Sequence, residues 1–183
     1  MFKPTGQKRI FINILVFWFI VEIILAKQMF SSGFPAGTDS LGHMAQMAYL
    51  ANEGRWLYIW REFGLGFPEN IRGLDFILIP MYLIIKDPAL TIKIFTFLMF
   101  WLAGVNMYIY VYNHTKSKNA SLLAGITYIL NHWLYIQFTE GHIIIMFSYA
   151  FFPLLFLLLD KTFEKATKTR LILLALFLTI VAT

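Results

Sequence analysis

Between residues 143 and 159 the chain reads IIIMFSYAFFPLLFLLL, a stretch without a single charged side chain. A helix needs roughly 17 to 25 such residues to cross the hydrocarbon core of a bilayer, which is about 30 Å thick. A strand or a helix of a soluble domain rarely keeps so long an apolar run. The stretch therefore predicts a membrane-spanning helix, and it decides the class of fold.

Similar apolar runs lie on both sides of this stretch. Towards the N-terminus, spans are predicted at 120–138, 89–112 and 10–26. The last run, 171–183, is shorter than the roughly 20 residues of a full span, so we expect a fifth helix that is cut partway and a longer protein. The sequence thus predicts an all-α, polytopic membrane protein in which residues 1–183 form one transmembrane domain.

The composition agrees with a membrane protein and excludes several other classes. Hydrophobic residues make up 59% of the chain and charged residues only 14%, whereas about a quarter of the residues of a soluble domain are charged. The absence of cysteine excludes disulfides, thiolate nucleophiles and cysteine-ligated metals. The net charge of +5 comes from basic residues scattered among the apolar runs. This pattern fits contact with membrane lipids, so we discount a nucleic-acid partner.

The basic residues also predict the orientation of the chain. The short apolar piece at 74–85 has a length typical of an interfacial or re-entrant segment. If it does not cross, the basic groups of the N-terminus, of 116–118 and of 161–170 share one side, as the positive-inside rule requires. We therefore predict a multi-pass plasma membrane protein with a cytoplasmic N-terminus, whose loop 27–88 and turn 140–142 face outward.

The outer loop 27–88 has its own structural signals. An amphipathic helix is predicted at 40–52, because apolar residues recur there at helical spacing and suit a helix lying on the membrane. These apolar residues are Leu41, Met44, Ala45, Ala48 and Tyr49. The glycines and proline of 63–68, FGLGFP, predict a turn. Asp87 and Pro88 predict the N-cap and first residue of the next helix.

Three polar residues of the amphipathic helix, Asp39, His43 and Gln46, are spaced i, i+4 and i+7 and so share one side. A carboxylate and an imidazole in this arrangement can hold a cation or a phosphate-bearing substrate together. The alternative interpretation is that Asp39 is the N-cap of the helix, with His43 and Gln46 on its solvent-exposed face.

Glu140 and His142 form a second candidate site, in a turn predicted to face outward like Asp39. Ligands from two separate loops suit a hard divalent cation such as Mg²⁺ or Mn²⁺, which often binds substrate phosphate as well. We therefore predict that Asp39, Glu140 and His142 can form a metal site. The alternative is an ordinary polar turn between two helices.

Several features occur together in the first half of the chain. They are a basic N-terminus with one span, the loop motif GTDSLGH at 37–43, an aromatic stretch, FGLGFP at 63–68 and a short apolar segment with Pro80. This layout resembles the N-terminal part of the GT-C superfamily of integral-membrane glycosyltransferases. Within it, the pattern is similar to YfhO-type proteins and to membrane proteins labelled pyruvoyl-tetrahydropterin synthase-related, a label that does not imply pterin chemistry.

The resemblance implies an enzyme that transfers a sugar from a polyprenyl-phosphate carrier at the outer membrane face. Asp39 matches the acid of the first loop, and Glu140 matches an acid that some members carry in a second outer loop. Asp39 would act as general base or cation ligand. The chain departs from the family pattern because its first loop lacks a paired acidic motif, and because it ends before the region that usually recognises the acceptor.

Three further residues are predicted to bind the substrate: His43, Arg55 and Arg61. The forked donors of either arginine suit the lipid phosphate, although both arginines are equally good anchors to lipid headgroups. Two other functions stay open. One is a transporter or lipid flippase, whose polar residues would line a pathway near the bilayer midplane. The other is a non-catalytic membrane scaffold.

Overall fold

The computed structural model describes residues 16, 18–20, 23, 30, 33, 37–53, 58–61, 67–70 and 73–181. Most of the predicted first span, 10–26, therefore lies outside the described residues. The fold is predominantly α-helical, as predicted. The elements in chain order are α1 (Thr38–Glu53), β1 (Tyr58–Arg61), β2 (Phe67–Asn70), α2 (Asp75–Ile85), α3 (Pro88–Thr115), α4 (Lys118–Ile129), α5 (His132–Glu140), α6 (Ile143–Glu164) and α7 (Lys168–Val181).

Two helices, α3 and α6, are long and apolar enough to cross a membrane. The two helices run parallel, because the residue numbers of the facing side chains increase in the same direction along both helices. The rings of Phe95 and Phe147 stack with centroids 6.3 Å apart, and near the other end His114 Nε2 lies 3.1 Å from Asp160 Oδ2. The carboxyl ends of α3 and α6 therefore share one end of the bundle. We call it the basic end, defined by residues 114–118 and 160–170.

Buried contacts hold α3 against its neighbours. Asn106 is buried in α3, and its Nδ2 donates a hydrogen bond to Ala150 O of α6 at 2.9 Å. The fully buried ring of Trp18 lies against Gly104 of α3 and Gly125 of α4, where a Cβ atom on either glycine would come within 3.0 Å or 2.6 Å of the ring. These two glycines thus create the space that the indole fills.

The prediction of one continuous helix at 120–138 is wrong. The segment divides into α4 and α5, with Leu130 and Asn131 between them. Asn131 Oδ1 accepts a hydrogen bond from Trp133 N at 2.8 Å, so Asn131 is the N-cap of a new helix. The apolar character of the run concealed this break, because an asparagine side chain stabilises a helix start through its own backbone contact.

The break is paired with a proline in α6. Pro153 has no N–H, so the carbonyl of Tyr149 lacks its helical donor and instead accepts a hydrogen bond from Tyr128 Oη at 2.8 Å. In return, Tyr149 Oη donates at 2.9 Å to Tyr128 O, one of the last carbonyls of α4. The two rings stack with centroids 4.1 Å apart. Each tyrosine thus satisfies a carbonyl that the other helix leaves open.

The region predicted as an outer loop contains α1, an antiparallel hairpin and α2. In the hairpin, which the sequence interpretation missed, Tyr58 pairs with Asn70 and Arg61 with Phe67. The predicted short apolar segment forms the 11-residue helix α2. At a rise of 1.5 Å per residue it covers about half of a hydrocarbon core. Asp87 is the N-cap of α3, as predicted, since its Oδ1 accepts from Leu90 N at 2.9 Å.

The predicted helix at 40–52 is present as α1, but His43, on the polar side of the helix, does not face solvent. His43 is buried together with Met47 and Leu50, whereas Leu41 and Tyr49 are exposed. The solvent-face interpretation of His43 is therefore wrong. Packing against α2 and α3 determines which side of α1 is buried, and a weakly amphipathic sequence leaves that choice to the tertiary contacts.

In the predicted apolar run 171–183, residues 171–181 are helical as part of α7. This helix lies against α6, and the rings of Phe151 and Phe177 meet at a centroid distance of 5.8 Å. Arg170 Nη1 donates to Lys165 O at 3.0 Å and also to Lys161 O. A guanidinium group thereby satisfies carbonyls at the end of α6.

Candidate functional site

The start of α1 and the turn between α5 and α6 meet at the end of the bundle opposite the basic end. A Cβ atom on Gly37 would overlap the backbone of Glu140 and Gly141, and one on Gly141 would lie 2.5 Å from Ser40 Oγ. Both glycines have positive φ angles, 97° and 79°. Glycine is the residue that tolerates both this conformation and so close a backbone approach. We call this region the His142 end, defined by residues 37–40 and 140–142.

At the His142 end, a carboxylate and an imidazole from distant parts of the chain approach each other. Asp39 Oδ2 lies 3.5 Å from His142 Nε2, and the two side chains are 54% and 36% exposed. On the other side of the ring, His142 Nδ1 lies 2.7 Å from Gln137 Oε1. A ring whose two nitrogens both face oxygen acceptors donates to both when it is protonated. Solvent still reaches this arrangement.

Two helices begin beside the pair. Asp39 lies in the first turn of α1, and His142 precedes the first residue of α6 without forming a side-chain cap. The first N–H groups of a helix lack intrahelical acceptors, and the helix dipole places partial positive charge there. Together with a protonated imidazole, these two helix starts favour an anion such as a phosphate.

The sequence matches one known protein family. The model of one family, a 6-pyruvoyl-tetrahydropterin synthase related domain described as a membrane protein, matches residues 76–183, more than half of the chain. The chain belongs to this family. The match confirms the resemblance to pyruvoyl-tetrahydropterin synthase-related membrane proteins, and it contains Glu140 and His142 but not Asp39. No curated protein and no solved structure matches the chain.

Glu140 is the last residue of α5 and is exposed. Its backbone contacts Gly37, two positions before Asp39. Two of the three predicted metal ligands, Asp39 and His142, approach each other. Within the part of the chain that the structure describes, no three metal-ligating side chains form a group. A cation held by Asp39, Glu140 and His142 therefore stays a prediction.

The other predicted site residues are dispersed. His43 is buried on the inner side of α1, and Gln46 bonds to α2 rather than to the Asp39 pair. Arg55 lies outside the described residues, and only the backbone of Arg61, in β1, is described. The sharing of a cation or phosphate by Asp39 and His43 stays a prediction, although Asp39 is exposed and His43 is buried.

The sequence interpretation missed Gln137 and Asp75. Gln137 lies five residues before His142 and orients its ring from within α5. Asp75 is a buried carboxylate, 1% exposed, and its Oδ2 accepts a hydrogen bond from Gln46 Nε2 at 2.8 Å. A signal for Asp75 existed in the sequence: it is an acid directly before an apolar helical run, where a helix start favours negative charge.

Proposed function

We propose that this member of the pyruvoyl-tetrahydropterin synthase-related family is a membrane glycosyltransferase. It would take a sugar from a polyprenyl-phosphate carrier at the outer face of the plasma membrane. The single observation that carries the proposal is the 3.5 Å approach of Asp39 to His142. It brings an exposed carboxylate beside an imidazole at one end of a bundle whose lysine-rich turns lie at the other end. In this proposal the N-terminus and the basic end face the cytoplasm.

His142 and the starts of α1 and α6 would bind the phosphate of the donor. Asp39 would act as general base: its carboxylate takes the proton of the acceptor hydroxyl while the acceptor oxygen bonds to the anomeric carbon of the sugar. The bond from that carbon to the phosphate oxygen breaks, and the lipid phosphate leaves with the electron pair. Attack opposite to the leaving group inverts the anomeric configuration.

The same geometry supports a role for a cation. When Nδ1 of His142 carries the proton towards Gln137, Nε2 presents a lone pair beside Asp39 Oδ2. A neutral imidazole oriented by a hydrogen bond at its other nitrogen is a common metal ligand. Asp39, His142 and Glu140 would then hold Mg²⁺ or Mn²⁺, which would neutralise charge on the leaving phosphate.

One observation favours the transporter or flippase alternative, namely the helix break at 130–131. Transporters use interrupted helices to present free carbonyls and helix ends to a substrate inside the membrane. Here the carbonyls of Tyr128 and Tyr149, on the two helices at the break, accept hydrogen bonds from tyrosine hydroxyls. These two reciprocal hydrogen bonds occupy the carbonyls that a transported substrate would need. They support a structural role for the break, and we therefore prefer the glycosyltransferase function.

The test is sugar transfer from a panel of polyprenyl-phosphate donors in proteoliposomes. We expect Asp39→Asn to lower the rate by about 10²–10⁴-fold, the typical contribution of a general base. An N-cap role predicts almost no effect, because asparagine caps a helix about as well as aspartate. Glu140→Gln should lower the rate if Glu140 holds a cation, and added chelator should then reproduce that loss in the wild type.

Asp160→Asn is the matched control, since Asp160 also pairs with a histidine and has a similar exposure. Its transfer rate should equal that of the wild type. Wild-type rates for both Asp39→Asn and Glu140→Gln would reject the site, and no transfer by the wild type from any donor, combined with lipid or solute movement, would favour the transporter.

A further inference from the structure

A partly buried hydrogen bond connects the helix that carries Asp39 to the rest of the protein. Gln46 Nε2 on α1 donates to Asp75 Oδ2 on α2 at 2.8 Å, across 29 positions of sequence. Asp75 is 1% exposed. A carboxylate buried among apolar side chains is unfavourable unless donors satisfy it. Its place in the first turn of α2 reduces that penalty, and Gln46 supplies a donor from α1.

The position of Gln46 on α1 relates it directly to Asp39. The two residues are seven apart, and successive helical residues turn by about 100°, so their side chains leave the helix axis within roughly 20° of the same direction. A contact that fixes the direction of Gln46 therefore fixes the direction of Asp39. A rotation of α1 by one residue would turn the Asp39 carboxylate away from His142.

Packing against α2 and α3 selects which side of α1 is buried, and the contact of Gly37 with Glu140 and Gly141 determines where α1 begins. Within that packing, directional contacts refine the rotation of α1. Met47 and Leu50 are fully buried, and apolar packing of this kind has no preferred direction at the level of single atoms. A hydrogen bond to a carboxylate is both directional and strong.

We propose that Gln46 and Asp75 are positioning residues: their hydrogen bond sets the rotation of α1 and thereby directs Asp39 towards His142. This inference rests on the proposed function, in which Asp39 and His142 are the reacting pair. The alignment that it predicts can be measured without any enzymatic activity. The alignment of residues 39 and 142 should depend on the bond between residues 46 and 75.

The chain has no cysteine, so alignment can be measured by cross-linking. Asp39→Cys and His142→Cys are introduced together, and a short bifunctional thiosulfonate joins the two thiols. Gln46→Glu, which places two carboxylates against each other, should lower the cross-linking rate about tenfold, the scale of a lost charged hydrogen bond. Gln46→Ala, which removes the donor without adding charge, should lower it in the same direction.

An exchange of donor and acceptor provides the decisive variant. Asp75→Asn alone keeps an acceptor oxygen and should cross-link at nearly the wild-type rate. Gln46→Glu combined with Asp75→Asn moves the donor to α2 and should restore cross-linking to within about twofold of the wild type. Recovery of this kind follows from the specific pair, because a general loss of stability would increase with the second substitution.

Tyr128→Phe is the matched control. It removes a partly buried hydrogen bond of equal length, 2.8 Å, between α4 and α6, and it should leave cross-linking between 39 and 142 unchanged. Wild-type cross-linking in both Gln46→Glu and Gln46→Ala would overturn the inference, as would a failure of the double exchange to recover. Because cross-linking needs no turnover, a failed transfer assay would reject the proposed function and leave this result standing.

Discussion

Two aspartate–histidine pairs among the residues that the structure describes lie at opposite ends of the bundle, and their surroundings differ. Asp39 and His142 are 3.5 Å apart and 54% and 36% exposed. Asp160 and His114 are 3.1 Å apart and 40% and 48% exposed. Distance and exposure therefore do not distinguish the pairs. Helix direction does: the first pair lies where α1 and α6 begin, and the second lies where α3 and α6 end.

Helix starts favour anions and helix ends favour cations, because the backbone dipoles align along the axis. The ends of α3 and α6 follow this rule: Lys116 Nζ donates to Asn113 O, and Arg170 donates to carbonyls at the end of α6. These cations satisfy the ends of α3 and α6. The His142 end instead offers helix starts that an anionic ligand can occupy, and the same side-chain chemistry is therefore structural at one end and a candidate site at the other.

The residues that close a helix at the two ends differ in how closely other segments pack against them. The residue after α5 is Gly141, whose φ is 79°, and the residue after α3 is Lys116, whose φ is 56°. Both adopt the left-handed conformation that closes a helix. Glycine is necessary at 141 because Ser40 lies against it, whereas an exposed lysine is accommodated at 116. Close approach of two segments thus marks the His142 end.

Labelling from the two sides of the membrane should give the largest effect. Because residues 140 and 165 flank α6, which is long and apolar enough to cross a membrane, we expect Glu140→Cys and Lys165→Cys to react with an impermeant maleimide from opposite sides of intact cells or oriented vesicles. Glu140→Cys should react from outside and Lys165→Cys after permeabilisation. Reaction of both thiols from one side would contradict the arrangement of the two ends.

Gly141→Ala should have the next largest effect, since it separates the segments that form the His142 end. A methyl group there would lie 2.5 Å from Ser40 Oγ in a backbone conformation unfavourable for alanine. We expect a loss of ~2–4 kcal/mol in the free energy of unfolding, measured in detergent. Gly33→Ala is a useful comparison, because its φ is also positive but no atom of the described residues lies within 4 Å of the added group. Equal losses in the two variants would remove the close approach as the cause.

Replacing each histidine in turn should show which end of the bundle binds the anionic donor. His142→Gln should raise KM for the polyprenyl-phosphate donor about tenfold, because a charge-assisted hydrogen bond to the phosphate is lost. His114→Gln, at the basic end, should leave KM unchanged. Steady-state kinetics over a range of donor concentrations distinguishes the two variants, and an equal rise in KM for both would place the phosphate site elsewhere.

The smallest effect should come from Lys116→Gly. Glycine is favourable in the left-handed conformation, but the change also removes the contact of Lys116 Nζ with Asn113 O. These contributions oppose each other, so we expect thermal unfolding within about 1 kcal/mol of the wild type. A loss as large as that of Gly141→Ala would show that the caps at the two ends are equivalent.

The candidate site was only partly predictable from the sequence. The turn at 140–142 and Asp39 were found because polar residues between apolar runs are conspicuous, and their shared placement followed from the distribution of basic residues. Gln137 and Asp75 were missed because each lies within or beside an apolar run and acts through a single partner. His43 was placed on the wrong side of α1, since the spacing that makes a helix amphipathic does not identify its buried face.

By itself, the sequence determined the membrane class, the helical segments and the start of α3, because long apolar runs and the Asp87 cap act locally. Only the tertiary structure decided which face of α1 is buried and that Asp39 meets His142. These features depend on contacts between segments up to a hundred residues apart. Local propensity carries no information about such partners, because the free energy that selects them is gained only when the segments pack.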